Sequence, residues 1–201
     1  MRSRIIRKRL DPKDAVVHNN RGNAWKGKND YDKAIKDYDE AIRLDPKHAS
    51  AFYNRGNTWR AKKEYDKAIK DYDESIRLDP KHALAFHNRG AVWRAKKEYD
   101  NAIEDYGEAI RLDPNLAMAF NNRGRTWTAM KEYDKAIKDY DEALRLDPKY
   151  SPALFQRGVN NLIIRKPKGS TDFQSVLEFD GGKGILRIAE STSVVSFATS
   201  R

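Results

Sequence analysis

The sequence contains no cysteine, so neither a disulfide framework nor a thiolate metal site is available, and its redox compartment stays open. It also lacks any apolar run near the roughly 18 to 20 residues that a membrane-spanning helix needs. Its basic start, Met1-Arg-Ser-Arg-Ile-Ile-Arg-Lys-Arg-Leu10, has no apolar stretch of the kind a secretory signal carries. A cytoplasmic protein without a membrane span is therefore the expectation. Hydrophobic residues make up 39% and charged residues 35%, which is lean for one deep core and favours a thin, elongated architecture. Acidic charge is in short supply overall, the formal charge being +10, and this raises the question of a nucleic-acid partner. Its distribution argues against one: residues 15–150 hold 27 basic against 24 acidic side chains, so most of the excess lies outside the middle of the chain.

That middle is a repeat. Asn19-Asn-Arg-Gly22 returns as Tyr53-Asn-Arg-Gly56, His87-Asn-Arg-Gly90 and Asn121-Asn-Arg-Gly124, each 34 residues after the last and without insertions. With the frame set at Ala15, the units are 15–48, 49–82, 83–116 and 117–150. Each closes on Arg-Leu-Asp-Pro, first at Arg43–Pro46 and last at Arg145–Pro148. The first half of a unit has an apolar stripe at helical spacing, as in Ala51, Phe52, Thr58 and Trp59. The second half has another, Ala68, Ile69, Tyr72, Ile76 and Leu78. Two short helices follow, separated by a polar break such as Lys62-Lys-Glu64 and ended by a proline that cannot supply the next amide.

Gly22, Gly56, Gly90 and Gly124 fall inside the first helix, where glycine costs about 1 kcal/mol relative to alanine, so close helix approach is expected there. The small Ala34, Ala68, Ala102 and Ala136 of the second helix are expected to face them, with Trp25, Trp59, Trp93 and Trp127 filling the wider space nearby.

The 34-residue period, the small residue in the first helix, the alanine and tyrosine of the second and the closing proline together resemble the tetratricopeptide repeat family over residues 15–150. The resemblance implies an all-α fold, a right-handed solenoid of antiparallel helical hairpins, whose first helices line a concave, protein-binding surface. Two positions depart from the family pattern: Arg21, Arg55, Arg89 and Arg123 stand where leucine is usual, and Lys63, Lys97 and Lys131 occupy the hairpin turn where glycine is common. Because Asp37, Asp71, Asp105 and Asp139 recur in the second helices, an Arg–Asp pair inside each hairpin is expected to account for the arginines.

At the ends, Leu10-Asp-Pro-Lys13 reproduces the close of a unit, so residues 1–14 read as the remnant of a preceding repeat. Ala153-Leu-Phe-Gln-Arg-Gly158 opens a fifth unit that breaks off after Ile164, which makes residues 151–164 a capping helix. Residues 165–201 are a non-repeat tail, disordered or a weak hairpin of Ser175–Phe179 and Gly184–Ile188 around Asp180-Gly-Gly-Lys183.

No catalytic constellation emerges, and neither an enzyme nor a cofactor or metal is expected. The glycines of residues 179–184 lack the order of a phosphate loop. Asp30-Tyr-Asp32 and Asp37-Tyr-Asp-Glu40 lack the glycine and closing glutamate of a calcium loop. His18, His48, His82 and His87 have no metal-ligand spacing.

The expected groove is the first-helix face opposite the tryptophans. Its sixth position is always asparagine, in Asn20, Asn54, Asn88 and Asn122, and a ladder of amides could grip the main chain of an extended peptide. The fifth position carries Asn19, Tyr53, His87 and Asn121; the ninth Asn23, Asn57, Ala91 and Arg125; the twelfth Lys26, Arg60 and Arg94, then Thr128. Three cations in a row favour an acidic protein or peptide ligand. The family's carboxylate clamp is excluded, since Val16, Ser50, Leu84 and Met118 hold the second position where it needs a cation. An RNA- or single-strand-binding helical repeat and a purely structural assembly segment are the alternatives.

Overall fold

The computed structural model describes residues 14–164, and among the described residues there are nine helices and no strand. They are α1 (Ala15–Gly27), α2 (Tyr31–Leu44), α3 (Ala49–Ala61), α4 (Tyr65–Leu78), α5 (Ala83–Ala95), α6 (Tyr99–Leu112), α7 (Ala117–Ala129), α8 (Tyr133–Leu146) and α9 (Ser151–Ile163). Helices α1–α5 belong to one compact unit that ends at Glu98, and α6–α9 to a second that begins at Tyr99. The expectations for residues 1–13 and for the tail from 165 onward lie outside the described residues.

Local chemistry sets the helix ends. The Asp30 carboxylate accepts the Lys33 amide at the start of α2. After each second helix the aspartate of Leu-Asp-Pro accepts an amide two residues on: Asp45 from Lys47 at 3.0 Å, Asp79 from Lys81 at 3.2 Å, Asp113 from Asn115 at 3.1 Å and Asp147 from Lys149 at 3.0 Å. This turn satisfies an amide just beyond the proline that stops the helix. Between the helices of a hairpin, Asn29, Lys63, Lys97 and Lys131 are left-handed, with φ from 59° to 65°. A lysine there costs about 1 kcal/mol, and the turn offsets it with bonds such as Lys63 N–H to Arg60 O (3.0 Å) and Glu64 N–H to Trp59 O (2.9 Å).

In the first unit α1 packs on α2 and α3 on α4. Their interior is built of alanine and tyrosine: Ala34, Tyr38, Ala41, Ala51, Ala68 and Tyr72 are fully buried. In the second unit Ala136, Tyr140, Ala143 and Ala153 play the same part, joined by Phe120, Leu144 and Leu154. The glycine expectation needs correcting here. A Cβ on Gly22 would lie 2.6 Å from Cε1 of Tyr38, on Gly124 2.7 Å from that of Tyr140, and on Gly56 3.0 Å from that of Tyr72, with the Ala68 carbonyl next at 3.3 Å. The glycine thus makes room for a tyrosine ring, and at Gly56 the Ala68 backbone is a secondary neighbour. The tryptophans stay half-buried at the rim, with lysines over their rings: Lys33 over Trp25, Lys67 over Trp59 and Lys135 over Trp127, each at 4.6 Å.

Three of the four expected ion pairs are seen. Arg21 donates from Nε and Nη2 to Asp37, Arg55 to Asp71 and Arg123 to Asp139, over 2.5 to 2.9 Å. A second carboxylate, not anticipated, comes from the preceding hairpin: Nη1 of Arg55 donates to Asp39, of Arg89 to Asp73 and of Arg157 to Asp141, each at 2.6 Å. Gly107 holds the equivalent place facing Arg123, whose Nη1 would lie 3.8 Å from an added Cβ. Gly107→Asp is expected to supply the missing partner. Relief of helical glycine and one partly exposed ion pair should together raise stability by about 0.5–1 kcal/mol, read as a higher urea midpoint. An unchanged or lower midpoint counts against the stitch.

Candidate functional site

The site follows from the first helices, since 3.6 residues per turn leave one side of α1 and α3 off their own second helices. Neighbouring first helices also touch, α1 with α3 and α3 with α5. That contact changes the environment of several expected groove residues. Asn19 and His87, at the fifth position, are buried at 6% exposure each, wedged at these helix–helix lines. Asn19 Oδ1 accepts from Asn54 Nδ2 at 3.0 Å. Asn88 spends its amide donors on the Tyr53 hydroxyl and on Asn57 Oδ1, both at 2.9 Å, and its Oδ1 accepts from His87 Nδ1 at 3.1 Å. The ring of Tyr53 in turn lies 4.5 Å from that of His82.

The ninth-position asparagines serve buried tyrosines. Asn23 Oδ1 accepts from the Tyr38 hydroxyl and Asn57 Oδ1 from that of Tyr72, both at 2.8 Å. Burial pushes the Tyr38 pKa up to about 12 and raises that of Tyr72 further, so both hydroxyls remain donors. Asn20 is exposed, and Asn54 keeps one amide proton and its oxygen uncommitted.

The twelfth-position cations stand apart from this amide network. Among the described residues Lys26, Arg60 and Arg94 have no acidic partner, in contrast to Arg55 with its two carboxylates. Burial lowers the Lys26 pKa, and the charge of Arg60 lowers it further. Burial likewise lowers the His87 pKa; the Asn88 hydrogen bond opposes this and Arg60 adds to it, which keeps the imidazole neutral. Nε of Arg94 is buried without a hydrogen-bond partner.

In the second unit the pattern differs. Asn121 is 2% exposed and donates to Asn122 Oδ1 at 3.4 Å. Thr128 replaces the cation, contacting the Tyr140 hydroxyl at 2.9 Å and donating to Asn160 Oδ1 at 3.1 Å. Arg125, at the ninth position, is exposed. The tyrosine hydroxyls escaped the sequence reading, although their recurrence 15 residues after an asparagine, in Asn23/Tyr38 and Asn57/Tyr72, was a usable signal. No group of three or more potential metal ligands occurs among the described residues, and no described helix is long and apolar enough to cross a membrane.

Hairpins of this period, with a glycine–tyrosine contact and a closing Asp-Pro turn, define a helical-repeat protein. Residues 19–83 match one tetratricopeptide repeat model and residues 83–116 and 117–150 another, so the chain belongs to the tetratricopeptide repeat family. Repeats of this family mediate protein–protein interaction and are typically non-catalytic. Among solved structures, MamA is 25% identical with a TM-score of 0.74, over 81% of this chain and 95% of that one. YrrB, described as a tetratricopeptide protein with an unusual peptide-binding site, is 21% identical with a TM-score of 0.71, over 90% of this chain and 94% of its own. PilF of Pseudomonas aeruginosa is 18% identical with a TM-score of 0.76, over 82% and 75%. No curated protein matches in sequence.

Proposed function

We propose that the first-helix face of α1, α3 and α5 holds an extended, acidic segment of a partner protein. One observation carries this reading: Lys26, Arg60 and Arg94 repeat along that face without acidic partners, and two of them already show the cost, Lys26 in its lowered pKa and Arg94 in its unpartnered Nε. A carboxylate placed among them would offset the repulsion and supply an acceptor for the guanidinium. Beside this row, the free amide groups of Asn20 and Asn54 can bond a peptide main chain, while Asn88 is positioned to hold Tyr53 and Asn57 in place. A peptide-binding site in the structurally similar YrrB is consistent with this use of the fold.

The test is fluorescence anisotropy with the full chain and a labelled, extended peptide rich in Asp and Glu, beside the same peptide with Asn and Gln. The acidic peptide should bind at least tenfold more tightly, and Arg60→Ala should remove about tenfold of that affinity, each tenfold being about 1.4 kcal/mol. Equal affinity for the two peptides would sink the proposal. So would tighter binding of single-stranded RNA that weakens steeply with salt and depends on the same three cations, which would favour the nucleic-acid alternative. Asn54→Ala should weaken binding of both peptides alike, because a main-chain contact does not read side-chain charge; an unchanged affinity removes the amides from the site.

A further inference from the structure

Among the described residues, three of the five exposed large hydrophobic side chains occupy one place, the second position of a first helix: Val16, Leu84 and Met118, at 52%, 41% and 41% exposure. Single exposed apolar residues are ordinary, but recurrence at one repeat position is not scatter. Packing does not ask for them there. The residues that follow in α3, α5 and α7, Ala51, Ala85 and Ala119, are the ones buried in the core. The same place in α3 itself holds an exposed serine, Ser50, so the fold does not demand a leucine at this position of α5.

On each first helix the second position and the cationic twelfth lie ten residues apart, about 15 Å along the axis and about 80° around it, so the two share a side. In α5 they are Leu84 and Arg94, and in α3 Ser50 and Arg60. Between the two levels on α3 stands Asn54, about 6 Å from the first and 9 Å from the second. It keeps one amide proton and its oxygen uncommitted. The face of α3 and α5 therefore has an apolar edge at Leu84, an amide in the middle and a cationic edge at Arg60 and Arg94.

An extended chain that crosses the helices over Asn54 with its side chains pointing along them turns its main-chain groups toward the amide. Its successive side chains then go to opposite edges, because their period is two. From this we infer that the segment held by the face alternates apolar and acidic residues, the apolar set lying against Leu84 and the acidic set against Arg60 and Arg94. This rests on the peptide-holding reading and adds to it the order of residues in the partner's segment. A uniformly acidic segment would press half of its carboxylates against Leu84, where they lose hydration with no cation to offset it. An amphipathic helix keeps its main-chain groups to itself and leaves the Asn54 amide unused.

The experiment is fluorescence anisotropy of the full chain with short labelled peptides of equal length and charge. One alternates Leu and Glu, one alternates Ser and Glu, and one has the first composition in the helical order Leu-Glu-Glu-Leu-Leu-Glu-Glu-Leu. The alternating Leu/Glu peptide should bind about tenfold more tightly than either of the others. Leu84→Ser, which places there the residue that α3 carries, should bring it down to the level of the Ser/Glu peptide and leave the Ser/Glu affinity as it was. Ser50→Leu should tighten binding of the Leu/Glu peptide about threefold, a gain that a misfolded variant cannot produce. Equal binding of the Leu/Glu and Ser/Glu peptides, binding of the helical-order peptide that is as tight or tighter, or indifference to Leu84→Ser overturns the inference. The cationic reading survives each of these outcomes as long as Arg60→Ala weakens the Ser/Glu peptide. Loss of that Arg60 dependence removes the reading and the inference with it.

Discussion

Asp71→Ala is expected to lower the stability of the chain by about 2 kcal/mol, less than the roughly 3 kcal/mol typical of a buried ion pair that loses one partner, because Asp39 still holds Arg55 Nη1. The Asp71 side chain is 7% exposed and that of Arg55 20%, so the guanidinium left behind is mostly out of water. Burial raises the Asp71 pKa, while the Arg55 hydrogen bonds and charge pull it down. Burial likewise works against the charge of Arg55, but Asp71 and Asp39 together outweigh it and raise the guanidinium pKa. With two short, parallel hydrogen bonds joining them, the ionised pair is the form that the geometry supports. Arg55→Ala/Asp71→Ala should then cost clearly less than the sum of the two single changes. Urea unfolding of the four variants measures this coupling, and strictly additive losses would show that the two side chains do not depend on each other.

Gly124→Ala should be destabilising by about 2 kcal/mol, even though alanine is the better helix former by about 1 kcal/mol. The new methyl would sit 2.7 Å from Cε1 and 3.0 Å from Cδ1 of Tyr140, a ring that is itself fully buried and has little room to withdraw. Gly27→Ala is the control, because nothing lies within 4 Å of its added Cβ. That substitution should be neutral or slightly stabilising, its position in the last turn of α1 limiting the gain. Thermal melts of the two variants decide the matter: a stable Gly124→Ala protein would mean that the ring yields and that the glycine has another purpose.

The pairing of Arg21, Arg55 and Arg123 with aspartates 16 residues later was legible in the sequence, because both partners belong to one hairpin and recur together. The second carboxylate on Arg55 was not, although Asp39, Asp73 and Asp141 recur with a visible gap at Gly107. Which neighbour an exposed helix position faces depends on how one hairpin is rotated against the next, and a single-helix projection holds no such information. The same limit explains Asn19, His87 and Asn121. Projection places them on the open side of their helices, yet all three are buried, and their polar atoms bond Asn54, Asn88 and Asn122 respectively. Tyrosine replaced alanine opposite the glycines for a related reason: periodicity identifies which side of a helix is apolar, but ring orientation is settled only by packing.

The amino-acid sequence by itself determined the helices, their lengths and the hairpin order, since period, capping aspartates and terminal prolines act within a few residues of where they stand. It also determined the excess of cations at the twelfth position of the first helices. Tertiary structure decided which of the polar residues are spent and which remain available, because hydrogen-bond satisfaction is a property of neighbours brought together from 15 to 35 residues away. Asn88 and Asn57 are consumed in that network, whereas Lys26, Arg60 and Arg94 meet no acidic partner in it. That difference makes the cationic row, and not the whole asparagine ladder, the center of the proposed binding face.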